Sequence, residues 1–254
     1  QPEAALNALI EVSIELPADH IRGLSSRVEL DLARLHVDFG WGASARDHAE
    51  QAAQLGERDG DAITIGQALL VEAAALQLER RRGEAADRLQ QVIAIVRDNP
   101  EWFLKADARL GLMNLSLKKA PAQVAAKMAA EAQALVKHAQ SRCAYGRAAR
   151  AAAYGAQALI RAGKPVEGLQ LAEDALNLGQ RKSGWTRFTH QLLFVLSQAR
   201  RGVGRKQASD ALMLQAVDAL RSIAGTIEDA EKRKTWVSTP DNDAILGLVG
   251  QKVV

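Results

Sequence analysis

The chain has 254 residues, of which 48% are hydrophobic and 25% are charged. This composition excludes an intrinsically disordered or collagen-like chain, and the length is enough to bury a substantial core. Aromatic residues make up only 4%, whereas alanine and leucine, which lose little conformational freedom in a helix, are abundant. The net charge of +3 is too close to neutral to indicate a nucleic-acid partner by itself.

The single cysteine, Cys143, excludes an internal disulfide and suits a reducing compartment. No apolar run approaches the roughly 18 to 20 residues of a membrane span, and the first residues do not have the basic, apolar and small regions of a leader. We therefore expect a cytoplasmic protein that does not contact a membrane. Since the chain begins at Gln1, we expect a region excised from a longer intracellular protein or a processed product.

Residues 2–16 predict an N-terminal helix, as a cap or as the second half of an upstream repeat, within an N-terminal region 1–18. Its apolar face, which would support homo-oligomer formation if left uncovered, consists of Leu6, Leu9, Ile10 and Leu16. From residue 19 to residue 225 helical periodicity is broken at regular intervals by Gly, Pro or polar turns. The intervening segments predict five helix pairs, over 19–59, 60–99, 100–140, 141–182 and 183–225.

Small residues recur in two parallel series along these pairs. The crossing positions of the first helices are spaced by 40, 41, 42 and 41 residues and are Ala33, Ala73, Asn114, Ala156 and Ser197. Twelve residues after each lies a crossing position of a second helix, and these are Ala45, Ala85, Ala126, Gly168 and Ser209. Where two antiparallel helices cross closely, a larger side chain would push the backbones apart. The series therefore predicts an internal repeat of about 41 residues.

The stretch "GKPVEGLQLAEDALNL", residues 163–178, resembles the second half of a tetratricopeptide repeat, and 41–57 and 83–98 match less fully. The resemblance covers residues 19–225 and implies an all-α, right-handed superhelix with a concave binding face. The period exceeds the usual 34 residues, and most of the characteristic aromatic positions are aliphatic. Such long units resemble the repeats of bacterial regulators related to the maltose-regulon activator and of multidomain kinase, cyclase or ATPase signalling proteins.

The segment "LRSIAGTIEDAEKRKTWVSTPDNDAIL", residues 220–246, resembles the closing sequence of such regulatory proteins. It predicts two short helices, Glu228 to Val237 and Asp241 to Gly247, within a C-terminal region 226–254. We expect them to cover the apolar end of the last repeat, which an open solenoid must hide from water.

No motif of the sequence indicates catalysis, a metal or a cofactor. Gly163 and Lys164 lack the strand and the following Ser or Thr of a phosphate-binding loop, so they predict a turn between helices. The five histidines lack metal-ligand spacing, although His36 and His48 could approach each other within one helix pair. We interpret Cys143 as a small packing residue at a helix start. We therefore expect a protein that is not an enzyme and carries no cofactor.

Adjacent carboxylates, such as Glu173 with Asp174 and Glu228 with Asp229, point in different directions from a helix. They indicate solvated faces and charges favoured by the helix dipole rather than an acid–base pair.

In the resembling family, residues near the crossing position of the first helix line the concave groove. Positions six before, three before, one after and four or five after each crossing position define an inner stripe. Seven of its 25 positions carry Lys or Arg and one, Asp38, is acidic. The candidate ligand-binding residues, with Tyr154 one position off the stripe, are Arg27, Arg34, Gln67, Gln77, Lys118, Lys119, Arg150, Tyr154, Gln157, Arg161, Gln198 and Arg201.

A basic stripe with interspersed glutamines predicts a groove for an acidic peptide, a carboxylate ligand or a phosphate, although long cations also lie along ordinary solvated faces. The asparagines of the chaperone-tail carboxylate clamp are missing at Arg34, Ala74, Leu115, Gln157 and Gln198.

Three functions remain open. The first is a non-catalytic protein or peptide interaction module of a larger bacterial signalling or transcription-regulatory protein. The second is a small-molecule sensor that switches an attached ATPase or DNA-binding region. The third, nucleic-acid binding, is disfavoured by the few aromatics and the small net charge.

Overall fold

A computed structural model describes residues 2–15, 23–97, 101–182 and 188–248. These residues form α-helices and no β-strand, so the all-α prediction is confirmed. The helix α1, Pro2–Glu15, is followed by five pairs, and two short helices come last. The first helices of the pairs are α2 Leu24–Asp38, α4 Ala62–Leu78, α6 Trp102–Leu117, α8 Tyr145–Arg161 and α10 Thr189–Gly202. The second helices are α3 Gly42–Asp59, α5 Arg82–Ile95, α7 Ala122–Ser141, α9 Pro165–Asn177 and α11 Lys206–Ala224.

The two C-terminal helices are α12, Ala230–Val237, and α13, Pro240–Gly247, close to the predicted bounds. The break predicted at 179–184 begins as a π-helical turn, Leu178–Lys182, and its last two residues lie outside the described residues. Side-chain oxygens cap two helices. Asp61 accepts hydrogen bonds from the amides of Ile63 and Thr64 at 3.0 and 3.2 Å, and Asp229 accepts one from Lys232 at 2.9 Å. These bonds satisfy amides that a helix start leaves without an internal partner.

The chain divides into two compact units. Unit 1 comprises Gln1–Leu112 and Gly225–Pro240, and unit 2 comprises Met113–Ala224 and Asp241–Val254, so the boundary falls within α6. In unit 1, α2 contacts both α3 and α4, and in unit 2, α8 contacts α7, α9 and α10. First helices of neighbouring repeats therefore lie side by side within each unit. The right-handed superhelix implied by the resemblance stays a prediction.

The turn from first to second helix repeats with one backbone pattern. A residue before the second helix accepts a hydrogen bond from the amide four residues later, at 2.9 to 3.1 Å. The accepting residues are Trp41, Arg81, Pro121, Lys164 and Arg205, and the donors are Ala45, Ala85, Ala125, Gly168 and Ser209. In four of the turns the accepting residue also donates to a carbonyl five positions earlier, which Pro121 cannot do because proline has no amide hydrogen.

This pattern corrects the predicted register of the third repeat. The amide that donates to Pro121 belongs to Ala125, which is fully buried, whereas the predicted Ala126 is exposed. Counting twelve back from Ala125 gives Met113, which is 3% exposed, in place of the half-buried Asn114. The spacings become 40, 40, 43 and 41 residues, and the longest of them contains α7, which at 20 residues is the longest helix in the described part of the chain.

The other eight crossing positions are buried as predicted, and two pairs show the close approach directly. The hydroxyl oxygens of Ser197 and Ser209 lie 3.3 Å apart. A Cβ atom added to Gly168 would lie 3.0 Å from the carbonyl oxygen of Ala156. Such separations leave no room for larger side chains, which is the packing reason for the two small-residue series.

The alanine-rich helix α8 is packed on several sides. A Cβ at Gly155 would lie 2.8 Å from Leu171 of α9 and 3.0 Å from Ala132 of α7. The turn that follows α8 contains Gly163 at φ 79°, where glycine avoids the strain of a left-handed conformation. The amides of Gly163 and Lys164 bond back to α8 at 3.1 and 2.9 Å, so the turn predicted at Gly163 and Lys164 is confirmed.

Adjacent alanines of α7 provide a test of the corrected register. We expect Ala125→Leu to lower the free energy of unfolding by about 1 to 3 kcal/mol, because the added atoms overpack a fully buried position. The matched control Ala126→Leu should change it by less than about 0.5 kcal/mol, since that side chain is exposed. Urea unfolding measures both, and an equal effect of the two substitutions would contradict the register.

Candidate binding surface

The corrected register changes the inner stripe in the third repeat. Its members there become Asp107, Leu110, Asn114, Leu117 and Lys118, so Lys119 leaves the stripe. The stripe then holds two acidic residues, Asp38 and Asp107, and six basic ones, which are Arg27, Arg34, Lys118, Arg150, Arg161 and Arg201. The stripe is therefore less basic than the sequence predicted, and Asn114 rather than Leu115 occupies one of the five clamp positions.

Three of the predicted ligand-binding arginines bond within the fold. Arg34 donates to Asp31 at 2.8 Å and to Gln67 of α4 at 3.1 Å. The Nε atom of Arg161 donates to the carbonyl oxygen of Ala120, in the turn between α6 and α7. The bonds to Gln67 and to Ala120 join neighbouring repeats.

The third of these arginines, Arg201, binds Asp210 of α11 at 2.8 Å. We therefore assign a structural role in this conformation to Arg34, to its partner Gln67, to Arg161 and to Arg201.

The other predicted residues differ in exposure. Arg27, Lys118 and Lys119 are exposed. Five are half-buried: Gln77, Arg150, Tyr154, Gln157 and Gln198. The guanidinium carbon of Arg150 lies 6.0 Å from the ring centre of Phe188.

In unit 2, the carboxyl group of Asp241 on α13 is coupled by charge to predicted residues on or next to two first helices. Burial is the largest cause that raises the pKa of Tyr154, to about 12, with Asp241 raising it and Arg150 lowering it. Desolvation raises the pKa of Asp241, and the ammonium group of Lys118 lowers it. Asp241 thus interacts with Tyr154 of α8 and with Lys118 at the end of α6.

A buried hydrogen bond joins α13 to the third of these first helices. The Nε2 atom of His190, on α10, donates to Oδ1 of Asn242 at 3.1 Å. The two residues are 3% and 2% exposed. Burial is the main cause that lowers the pKa of His190, to about 4, while the bond to Asn242 opposes it. His190 is therefore neutral near pH 7, as a buried donor should be.

Sequence reasoning missed His190, Asp241 and Asn242. His190 carried no signal, because it stands alone in its repeat. The signal for α13 was present in "DNDAIL", where Asn242, Ile245 and Leu246 share one face of a helical turn. A polar residue on an otherwise apolar face indicates a buried hydrogen bond.

In unit 1, helix α12 lies against the turn between α2 and α3. The ammonium nitrogen of Lys232 lies 5.2 Å from the ring centre of Trp41. A Cβ on Gly40 would lie 2.8 Å from Thr239 and 3.4 Å from the carbonyl oxygen of Thr235. The C-terminal helices were expected to cover the end of the last repeat. α12 contacts the first repeat, whereas α13 bonds to α10, the first helix of the last repeat. That these helices cover the apolar end of the last repeat stays a prediction.

His36 and His48 do approach each other, with ring centres 5.0 Å apart and nearly parallel planes. The carboxylate oxygen Oε2 of Glu29 lies 2.7 Å from Nδ1 of His48. Burial, His48 and Lys232, in that order, lower the pKa of His36 to about 4. The stacked rings and the contact with Glu29 join α2 to α3. In the part of the chain that the structure describes, no group of three His, Cys, Asp or Glu could hold a metal ion.

Cys143 is not a packing residue. It is exposed and adopts φ 54° in the turn between α7 and α8. Its place in the turn matches that of Gly60 at φ 68° between α3 and α4.

The adjacent carboxylate pairs include one residue in an ion pair and one helix cap. Glu173 lies 3.7 Å from Arg200, and Asp229 caps α12. On α1, Leu6 is buried and Ile10 is 38% exposed, while Leu16 lies outside the described residues.

Comparisons with known proteins give no match: neither a protein-family model nor a curated protein is similar to this chain. Within the described residues, none of the helices has the length and apolar character needed to cross a membrane.

The buried His190 predicts a pH dependence of stability. An unfolded histidine takes up its proton near pH 6.5, whereas folded His190 resists protonation until about pH 4. Between these values the unfolded state binds more protons, so stability is retained above pH 6.5 and lost as the pH falls toward 4. For His190 alone we expect a loss of the order of 1 to 2 kcal/mol between pH 7.5 and pH 5.

Urea unfolding at the two pH values measures this loss in His190→Gln and in the control His138→Gln, whose histidine is exposed on α7. The loss should shrink in His190→Gln and stay as in the unmodified chain in His138→Gln. Equal losses in the two variants would show that His190 does not resist protonation.

Proposed function

We propose that the chain is a non-catalytic interaction module that holds a short helical peptide against the first helices of unit 2. The observation that carries the proposal is that these helices already hold one such segment, α13. Lys118, Tyr154 and His190, on or next to three successive first helices, interact with Asp241 and Asn242. The resemblance to long tetratricopeptide-like repeats supports a place within a larger bacterial signalling or regulatory protein.

The chemistry of this surface favours an acidic peptide. Lys118 is exposed, Arg150 lowers the pKa of Tyr154 by its charge, and the carboxyl group of Asp241 interacts with both Lys118 and Tyr154. Two half-buried glutamines add amide groups: Gln157 lies on α8, which also carries Tyr154, and Gln198 lies on α10, which also carries His190. A cation beside amide donors and acceptors recognises carboxylates with partial selectivity for their geometry.

A charge reversal at Lys118 tests this function without disturbing the buried contacts. Helical peptides selected from a display library on the chain carrying Ile245→Ser, which weakens the buried face of α13, should include acidic sequences. Adding Lys118→Glu to that chain should weaken their binding by about tenfold, or 1.4 kcal/mol. The control Lys137→Glu reverses an exposed lysine on α7, a second helix, and should leave the affinity unchanged. Fluorescence anisotropy measures both.

Equal binding with and without Lys118→Glu in the Ile245→Ser chain would remove this surface from the proposal. Selection of no peptide at all would contradict the function itself.

A further inference from the structure

Helix α13 has the form of a peptide ligand. Its first turn carries Asp241 and Asp243, and Asn242, Ile245 and Leu246 are buried. Residues three and four apart lie on the same face of a helix, so these three side chains form one face and the carboxylates lie beside it. Gly247 is exposed and Leu248 is 58% exposed, so the buried face ends with Leu246.

The interactions that hold α13 have a specific, polar part and an apolar part. The specific part is the buried bond from His190 to Asn242, together with the interactions of Asp241 with Lys118 and Tyr154. Ile245 and Leu246, which are 1% and 8% exposed, supply the apolar part. A buried donor that loses its acceptor costs about 1 to 3 kcal/mol, so a peptide that replaced α13 would have to offer His190 an acceptor.

On this basis, and resting on the proposed function, we infer that α13 is an internal competitor for the peptide site. The partner that the site takes is a helical peptide of the same chemistry as α13. It carries a carboxylate at its start, a side-chain acceptor in the next position, and two aliphatic residues three and four positions after that acceptor. The partner binds where α13 lies, so binding releases α13 from the first helices of unit 2.

The competition has a quantitative consequence. A segment tethered to its own site acts at an effective concentration of about millimolar when the tether permits contact. A peptide in solution must therefore overcome α13, and weakening α13 within the chain should raise the apparent affinity of the peptide by the same factor that it reduces the self-contact.

The probe is a synthetic peptide with the sequence of residues 238–248. Added in millimolar excess to the unmodified chain, it should raise the amide hydrogen exchange of residues 241–248, measured by mass spectrometry, while α8 and α10 stay protected. The same peptide carrying N242A and I245S is the control and should leave the exchange unchanged. No rise with the unmodified peptide, or an equal rise with both, would overturn the inference.

A pair of variants gives a second readout on the full chain. Ile245→Ser weakens the buried face of α13, and Leu248→Ser changes an exposed leucine three residues later. By fluorescence anisotropy, the peptide should bind Ile245→Ser at least tenfold more tightly than Leu248→Ser. Equal affinities would overturn the inference, and the exchange measurement on the unmodified chain decides the question if Ile245→Ser does not fold.

The two proposals fail in different ways. Library peptides that bind through Lys118 without raising the exchange of 241–248 would leave the proposed function standing and remove the competition. If the probe displaces α13 but no library peptide binds, the surface is a clamp for α13 alone and the proposed function fails.

Discussion

Close crossing of the two helices within each repeat is the constraint on which the structure depends. In the fourth and fifth repeats a residue of the first helix meets the residue twelve positions later. In all five repeats a backbone bond from the second of these residues to the turn repeats at the same place. The hydroxyl contact between Ser197 and Ser209 and the tight approach of Gly168 to Ala156 show how little space remains there. Because the crossing fixes each first helix on its second helix, it also sets where Tyr154 and His190 lie.

Because the helices are held close together, several charged residues of the first helices bond to neighbouring helices and turns. Arg34, Arg161 and Arg201 were predicted as ligand contacts. In the structure the first two bond to a neighbouring repeat and the third bonds within its own repeat. A guanidinium group near the end of a first helix can reach the adjoining helix or turn, where it satisfies carbonyl and carboxylate oxygens. The surface that we propose for recognition is smaller, with Lys118, Tyr154 and His190 of unit 2, and these three residues interact with α13.

The fold was largely predictable, because helix pairs and small residues at a near-constant spacing are local patterns. One register was wrong for a physical reason: the stretch "AQVAAKMAAEAQ" has adjacent alanines, and composition cannot tell the buried Ala125 from the exposed Ala126. The backbone bond to Pro121 settles it. The binding surface was less predictable. Whether an arginine on the stripe faces a ligand or a neighbouring carbonyl, and that Asn242 meets a histidine 52 positions earlier, depend on three-dimensional contacts that no periodicity encodes.

The contact between α13 and the first helices of unit 2 is the centre of the account, and a double-mutant cycle on His190 and Asn242 tests it most directly. The free energy of unfolding is measured for the unmodified chain, His190→Leu, Asn242→Leu and the double variant. If the buried bond exists, the two substitutions are non-additive, with a coupling of about 0.5 to 3 kcal/mol. Effects that add to within about 0.3 kcal/mol would show that α13 does not lie on α10.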